Sequence, residues 1–207
     1  MSDTPTATRP INAWALPALA ALLLTAAALV ALRLMGRVWW CACAGLSPWT
    51  SDIWSRHCSQ HLFDPYTLSH ISHGLLFFIG MEMLARLLPP PAAARFTMPL
   101  RFILAVALEA GWELLENTPM VIERYRSVTI SLDYNGDSVL NSLGDILACA
   151  TGFLIAMRLG VRPALMLFAA LEIITLFWIR DNLTLNIVML LYPIDTIRQW
   201  QTPATLR

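Results

Sequence analysis

The chain has 207 residues, of which 57% are hydrophobic and 14% charged, and its formal net charge is zero. A soluble domain is roughly 45–50% apolar and about 25% charged, so this chain is more apolar and less charged than a soluble domain. With a mean hydropathy of +0.59, the composition indicates a polytopic membrane protein. Every basic residue outside the histidines is an arginine, and the acids balance them in number. This balance excludes a nucleic-acid-binding protein and a polybasic membrane-surface protein.

The N-terminal region divides into a tail, residues 1–12, and a first predicted transmembrane helix, residues 13–35. The apolar run carries only Arg33 near its end and is long enough to cross a ~30 Å hydrocarbon core. A secretory signal peptide is the alternative, but its apolar region usually has about 7–15 residues and leads to a cleavage site. Here Arg33 and Arg37 follow instead, which favours an anchor.

Residues 36–67 are predicted to form an extramembrane loop rich in aromatic residues, cysteine and histidine. The loop is too polar to cross the membrane, and its tryptophans suit the membrane interface. An extracytoplasmic position would allow Cys58 to pair with Cys41 or Cys43. The alternative is that all three remain thiols.

Residues 68–207 are predicted to form a membrane helix bundle with a short C-terminal tail. Further spans are expected at 68–88, 99–117, 138–159 and 163–179, while the apolar run 183–194 is too short to cross and is expected at the interface. The predicted fold class is therefore an all-α polytopic membrane helix bundle with five transmembrane helices. The alternative is six.

Polar residues are concentrated where the last four spans begin or end on one side of the membrane. Because successive helices alternate in direction, these ends meet, and ionisable groups at such depth are costly and usually functional. The sequence thus predicts a polar cavity open to one leaflet, the outer one if the N-terminus is inside. The residues at these ends and in the adjoining loops are His61, Asp64, His70, His73, Glu109, Glu113, Glu116, Arg124, Arg126, Asp133, Asp137, Asn141, Asp145, Arg180 and Asp181.

Helical spacing predicts that these polar residues share faces. At about 100° per residue, Glu109, Glu113 and Glu116 fall within an arc of ~60°. Asp137, Asn141 and Asp145 form a slanted stripe at steps of four residues. His70 and His73 are one turn apart, so each helix presents its polar groups together.

Carboxylates and imidazoles on facing helices are a usual construction for a metal site, and this oxygen- and nitrogen-rich set suits Zn, Mn or Fe. The predicted metal ligands are His61, His70 and His73, and the predicted catalytic acids are Glu113, Glu116, Asp137 and Asp145. Other predicted members of the polar site are Asp64, Glu109, Asp133, Asn141 and Asp181.

Three arginines, Arg124, Arg126 and Arg180, are candidates for binding an anion, because a guanidinium group can bind a phosphate in bidentate fashion. Two other interpretations of the polar residues remain open. One is a polar site without metal, and the other is a structural network of acids paired with these arginines.

Several runs of the sequence resemble an uncharacterised family of small bacterial multi-pass inner-membrane proteins. The likeness extends from about Trp39 to Gln201 and implies an inner (plasma) membrane location in bacteria. The runs that carry it are SQHLFDPYT (59–67), SHISHG (69–74), WELLEN (112–117), ERYR (123–126) and IRDNL (179–183).

A more distant resemblance is to VanZ-like membrane proteins. The matching residues occur in the family's order, but Glu116 stands where that pattern has Gln, and the interval from Arg126 to Asp133 is longer. This likeness implies a role in the cell envelope. The residues that carry it are Asp64, His70, Glu113, Glu116, Arg126, Asp133, Asp137, Asn141 and Gly144.

The leading functional prediction is an outward-facing site that binds, and in its catalytic form hydrolyses, a phosphate- or sugar-bearing envelope lipid, with a divalent metal as the candidate cofactor. The alternative is a non-catalytic membrane partner or assembly subunit whose polar network is structural. A third hypothesis, proton-coupled transport, would require Glu82 and Glu172 to connect the cavity with the opposite leaflet.

Overall fold

The computed structural model describes residues 14–43, 45–129 and 134–202, which form helices and loops without a named strand. An isolated bridge joins Trp49 and Phe63. In chain order the helices of this part are α1 (Ala15–Leu34), α2 (Thr67–Leu87), α3 (Pro90–Arg95), α4 (Met98–Glu116), α5 (Pro119–Val128), α6 (Val139–Leu159), α7 (Val161–Ile179), α8 (Leu183–Leu191) and α9 (Asp195–Gln201).

The five predicted spans coincide closely with α1, α2, α4, α6 and α7. Four helices among the described residues are long and apolar enough to cross a membrane: α1, α2, α6 and α7. The fifth, α4, has 19 residues but carries an arginine and three glutamates. Helix α8 has only nine residues, about 14 Å at 1.5 Å per residue, so it is too short to cross.

Local sequence explains where these helices begin and turn. The Ser138 side chain accepts a hydrogen bond from the Asn141 backbone N–H at 3.1 Å and caps α6. Prolines open α4 and α5, where the missing N–H costs nothing. Gly160, with a φ of +82°, joins α6 to α7 in a conformation that side chains rarely adopt.

Helices α2 and α6 pack along each other at a distance that glycine permits. A Cβ atom at Gly74 would collide with the carbonyl oxygen of Cys149, and one at Gly152 would collide with that of Ile71. Small residues at such contacts let two helix backbones approach closely. This contact fixes the register between α2 and α6.

The apolar core consists of two clusters of buried side chains next to the contact between α2 and α6. Leu75 and Phe78 from α2 pack with Phe153 from α6 and with residues of α4 and α7. A second cluster joins α1 to α4 and α6. The outer faces of α1 and α7 remain exposed and apolar, as at Leu22 and Phe177, which suits contact with lipid tails.

The loop between α1 and α2 covers the N-terminal end of α6. The backbone N–H groups of Ser138, Val139 and Leu140 donate to carbonyl oxygens of this loop at 2.9, 2.8 and 3.2 Å. These are among the N–H groups that a helix start leaves without a partner. Gly144 lies directly against the Leu62 carbonyl, so the loop is held on the polar end of the bundle.

The glycine contact leads to a stability prediction. Gly152→Ala should lower the unfolding free energy by about 1–3 kcal/mol, the usual cost of overpacking, because the added methyl meets backbone atoms of α2. Gly80→Ala in α2, where nothing lies within 4 Å, should be neutral or slightly stabilising. Thermal unfolding in one mild detergent compares the two variants, and equal melting temperatures would contradict the prediction.

Candidate functional site

The centre of the polar end is Glu109 on α4, which accepts hydrogen bonds from two histidines of α2. Its Oε1 lies 2.5 Å from Nδ1 of His70, and its Oε2 lies 2.9 Å from Nδ1 of His73. Glu109 is fully buried and His70 nearly so. In the neutral imidazole form these bonds place the proton on Nδ1 and leave Nε2 as the free lone pair.

His70 also faces two acids on other helices. Its Nε2 lies 3.9 Å from Oδ2 of Asp145 on α6, and its Nδ1 lies 3.6 Å from Oε1 of Glu113 on α4. Suitable ligand atoms of His70, Glu113 and Asp145 all lie within 4.8 Å of one another. The same holds for His70, His73 and Glu109, so one histidine belongs to both groups.

The acids beside His70 are buried without enough hydrogen bonds. Both carboxylate oxygens of Glu113 and Oδ1 of Asp145 have no hydrogen-bond partner, although Glu113 is fully buried. Asn141, one turn before Asp145, likewise has neither side-chain atom bonded. Because buried polar groups are nearly always satisfied, this group of side chains is chemically incomplete without a proton, a water or an ion.

A large pocket of about 1390 Å³ opens beside this cluster. His70, His73 and Asp145 contribute polar surface, and Leu76, Phe77, Leu108 and Trp112 contribute apolar surface. Residues of the loop after α1 and of α5, α8 and α9 complete the lining. The pocket therefore joins an apolar wall to a polar end.

Glu116 and Asp137 also line this pocket, with different surroundings. Asp137 is buried and accepts hydrogen bonds from Nδ2 of Asn117 at 2.7 Å and from the hydroxyl of Tyr134 at 3.0 Å. Burial raises the pKa of Asp137 to about 6, although these two donors oppose the shift. Glu116 is half-buried and lies near Tyr125.

Asp64 has a local structural role in the loop that precedes α2. Its Oδ2 accepts from the backbone N–H of Ser59 at 2.9 Å, and its Oδ1 accepts from that of Tyr66 at 2.8 Å. Burial raises the pKa of Asp64 above its ordinary value, and the two N–H donors oppose that shift.

Asp181, which lies just after α7, forms hydrogen bonds with residues before α2 and in α9. It accepts hydrogen bonds from the hydroxyl of Tyr66 at 3.1 Å and from Nε2 of Gln201 at 3.0 Å. Burial raises the pKa of Asp181 to about 6. Asp181 does not line the pocket as the described residues define it, so its contacts fix α9 against the loop before α2.

Each of the three arginines predicted to bind an anion donates to a backbone carbonyl. Arg124 Nε donates to Leu190 at 2.9 Å, Arg126 Nε to Tyr134 at 2.7 Å and Arg180 Nη1 to Trp200 at 3.3 Å. Within the described part of the chain, the pocket is lined by other arginines, Arg37, Arg56 and Arg198. Apart from the location of Arg37 at the start of the polar loop, no sequence pattern favoured these arginines.

His61 lies in a different cluster from His70 and His73. Its Nε2 is 3.6 Å from Sγ of Cys43, and a possible ligand group joins it to Cys41, Cys43 and His57. Cys58 is a free thiol, whereas Cys41 and Cys43 are paired with each other, so neither pairing predicted for Cys58 occurs. Asp133, another predicted member of the polar site, lies outside the described residues.

The two acids of the transport hypothesis both have local partners. Oε1 and Oε2 of Glu172 accept from the backbone N–H groups of Leu183 and Thr184 at 3.0 Å each and so cap α8. Glu82 pairs with Arg101 at 2.7 Å. Each acid therefore makes a structural contact within the described part of the chain.

Comparison with known proteins identifies the family of this chain. The family described as "Protein of unknown function (DUF2585)" matches residues 32–203. The chain belongs to this family. No solved structure matches it, and the matches do not show the more distant VanZ-like relation.

Several proteins similar to this chain are described as UPF0314 proteins. One from Rhizobium meliloti (strain 1021) is 48% identical over 169 residues, which cover 82% of each chain. One from Brucella anthropi is 41% identical over 203 residues, covering 98% of this chain and 99% of the relative. A Paracoccus denitrificans relative is 42% identical over 167 residues, 81% of this chain and 82% of its own.

The Asn117 contacts generate a pH-dependent prediction. Asn117→Ala removes the donor to the Asp137 carboxylate and the acceptor of the Asp137 backbone N–H, which should cost about 1–3 kcal/mol of stability. The loss should be larger at pH 8 than at pH 5, because Asp137, with its pKa near 6, needs that donor chiefly when ionised. The neighbouring Thr118→Ala, which changes an exposed hydrogen bond, is the control in thermal unfolding at both pH values.

Proposed function

We propose that this DUF2585 protein is a five-span bacterial inner-membrane protein that binds and hydrolyses a phosphate- or sugar-bearing envelope lipid at an outward-facing polar pocket. In this proposal α4 is the fifth span, and the N-terminus lies inside. The observation that carries the proposal is Glu113, fully buried with both carboxylate oxygens unbonded beside His70 and Asp145.

A divalent cation is the ligand that best completes this cluster. An isolated carboxylate in a low-dielectric interior is costly, and a bound cation removes that cost. Glu113, Asp145 and His70, whose candidate ligand atoms lie within 4.8 Å of one another, supply two oxygens and one nitrogen, a set that suits Zn, Mn or Fe. Three protein ligands leave a position for water, as in catalytic metal sites.

Glu109 acts in this proposal as a positioning residue. It accepts from Nδ1 of both His70 and His73, which directs Nε2 of His70 towards Asp145. A carboxylate behind a ligating histidine orients the ring and raises its basicity. The pair of bonds also holds α2 against α4 at the level of the site.

The pocket suits a molecule with a polar head and an apolar chain. His70, His73 and Asp145 lie on its lining together with Leu76, Phe77 and Leu108. Leu108 is itself exposed on the outside of α4, so the apolar wall reaches a surface that lipid tails contact. At about 1390 Å³, the volume exceeds the ~300–1,000 Å³ of ordinary small-molecule pockets and admits a headgroup with part of a chain.

The reaction in this proposal is metal-assisted hydrolysis of an ester or glycosidic bond at the lipid headgroup. A cation held by Glu113, Asp145 and His70 would lower the pKa of a water bound to it. Glu116 would act as the general base that accepts the proton of this water when the water oxygen bonds to the headgroup atom. Glu116 is preferred over Asp137 because both Asp137 oxygens already accept hydrogen bonds. The displaced headgroup oxygen would take that proton from Glu116 and leave as a hydroxyl group.

Metal analysis tests the cation. Protein extracted in mild detergent without chelator should lose one equivalent of divalent metal on Glu113→Gln, because that change removes an anionic ligand without changing its shape. Glu82→Gln, which alters an acid paired with Arg101, should keep the full content. A folded wild-type protein whose metal content Glu113→Gln leaves unchanged would overturn the metal centre and favour the alternative, a non-catalytic membrane partner.

Lipid binding tests the headgroup end of the pocket. Arg37 lines the pocket, its Nη1 donates to the Asn135 carbonyl, and its buried Nε has no hydrogen-bond partner. We therefore assign the headgroup anion to Arg37, because Arg124, Arg126 and Arg180 are not among the described residues that line the pocket. Arg37→Gln should weaken binding to vesicles that contain phosphatidylglycerol by about tenfold or more, since charge-assisted hydrogen bonds contribute ~1.5–3 kcal/mol.

Arg124→Gln, which changes an arginine bound to the Leu190 carbonyl, is the matched control. It should leave vesicle binding unchanged. The hydrolytic step is measured with the same vesicles and with vesicles that contain a polyprenyl diphosphate, by release of headgroup or phosphate. Equal loss of binding in both arginine variants would contradict the assignment of Arg37.

A further inference from the structure

A second group of metal-ligating side chains lies in the loop between α1 and α2, apart from the site described above. Cys41 and Cys43 come from the first part of the loop, and His57 and His61 come from its second part. Their candidate ligand atoms all lie within 4.8 Å of one another. We propose that these four residues bind one structural Zn²⁺ ion.

The distances between sulfur and nitrogen fit a tetrahedral zinc ion. Ligands at about 2.3 Å for sulfur and ~2.0 Å for nitrogen lie roughly 3.5 Å apart around such an ion. Sγ of Cys41 is 3.2 Å from Nδ1 of His57, and Sγ of Cys43 is 3.6 Å from Nε2 of His61. Each cysteine therefore faces one histidine at the separation that zinc imposes.

The surroundings of these ligands also suit zinc. Nδ1 of His61 lies 2.6 Å from the Ser47 carbonyl oxygen, which fixes the proton on Nδ1 and leaves Nε2 free to bind a metal. The backbone N–H of Cys43 points to Sγ of Cys41 at 3.3 Å and would stabilise a thiolate there. Cys41 and His61 are buried, and Cys43 is exposed, so an ion can reach the site from solvent.

The structure pairs the sulfur atoms of Cys41 and Cys43 with each other, and a disulfide is the competing state. A bond between residues two apart closes a minimal loop, which constrains the unfolded chain least. It also leaves His57 and His61 directed at sulfur atoms that carry no charge. Zinc gives both imidazoles a partner.

Zinc binding uses the cysteines as the thiols in which they are synthesised, so no reductant is required. Both thiols release their protons to solvent, and the sulfur atoms separate to ~3.8 Å around the ion. Four protein ligands fill the coordination sphere, which is typical of structural rather than catalytic zinc.

The proposed ion would connect the end of α1 to the segment that leads into α2. Carbonyl oxygens of this loop accept hydrogen bonds from N–H groups at the start of α6. Arg37, Trp54 and Ser59 of the same loop line the pocket. The zinc ion would therefore hold this loop in place over the pocket. The ion would have no part in the reaction proposed for the pocket.

Metal content in ligand variants tests the proposal. The whole protein is prepared in mild detergent with added Zn²⁺ and no chelator. All samples carry Glu113→Gln, so that the proposed site at Glu113, Asp145 and His70 does not contribute to the measured metal. This parent is compared with Cys41→Ser, His57→Ala and His57→Cys. Zinc should fall from about one per chain to below ~0.1 in Cys41→Ser and His57→Ala. His57→Cys, which replaces one zinc ligand by another, should restore it.

Cys58→Ser and Cys149→Ser change the two free cysteines and serve as matched controls that should keep the zinc. Replacement by Co²⁺ gives a second readout, because thiolate ligands produce an intense near-ultraviolet charge-transfer band that an oxygen–nitrogen site lacks. That band should be present in Glu113→Gln and absent in Cys41→Ser. This contrast distinguishes an error in the zinc proposal for the loop from an error in the metal proposal for Glu113.

The wild-type protein supplies a test that does not depend on whether a variant folds. Titration with a mercurial thiol reagent should release one zinc per chain as Cys41 and Cys43 react. Zinc content that Cys41→Ser leaves unchanged would overturn the proposal. So would zinc-free protein in which these two cysteines resist alkylation until they are reduced, because that result identifies the disulfide as the native state.

Discussion

The close approach of α2 and α6 is the contact on which the polar site depends. Gly74 and Gly152 bring each helix against backbone atoms of the other, and a side chain at either position would separate them. That approach places His70 of α2 within 3.9 Å of Asp145 of α6. Helix α4 then completes the arrangement, since Glu109 accepts from both histidines of α2.

The burial of so many ionisable groups is tolerated because the polar end contains two kinds of environment. Asp64, Asp137 and Asp181 accept hydrogen bonds from backbone or side-chain donors and hold loops and helix ends in place. Glu113 has no such donor. A buried carboxylate without a donor costs free energy of folding. The presence or absence of donors therefore distinguishes the structural acids from Glu113, to which we assign a functional role.

The loop between α1 and α2 links the two proposed metal sites mechanically. Its carbonyl groups accept hydrogen bonds from the first N–H groups of α6. Helix α6 also carries Asp145, which belongs to the cluster with His70 and Glu113. A zinc ion held by Cys41, Cys43, His57 and His61 would therefore stabilise the loop that covers the start of α6, the helix that places Asp145 on the pocket lining. The two ions would serve separate purposes, one structural and one chemical.

The sequence by itself determined the all-helical membrane class and the approximate bounds of its long helices, because apolar length and helix-breaking residues are local properties. Helical spacing also indicated that His70 with His73, and Glu109 with Glu113, share faces. Tertiary structure decided which acids acquired donors, since Asn117 and Tyr134 reach Asp137 from separate segments. It also directed Arg124, Arg126 and Arg180 to backbone carbonyls and grouped His61 with the cysteines, because loop conformation and helix register are fixed only when distant residues pack together.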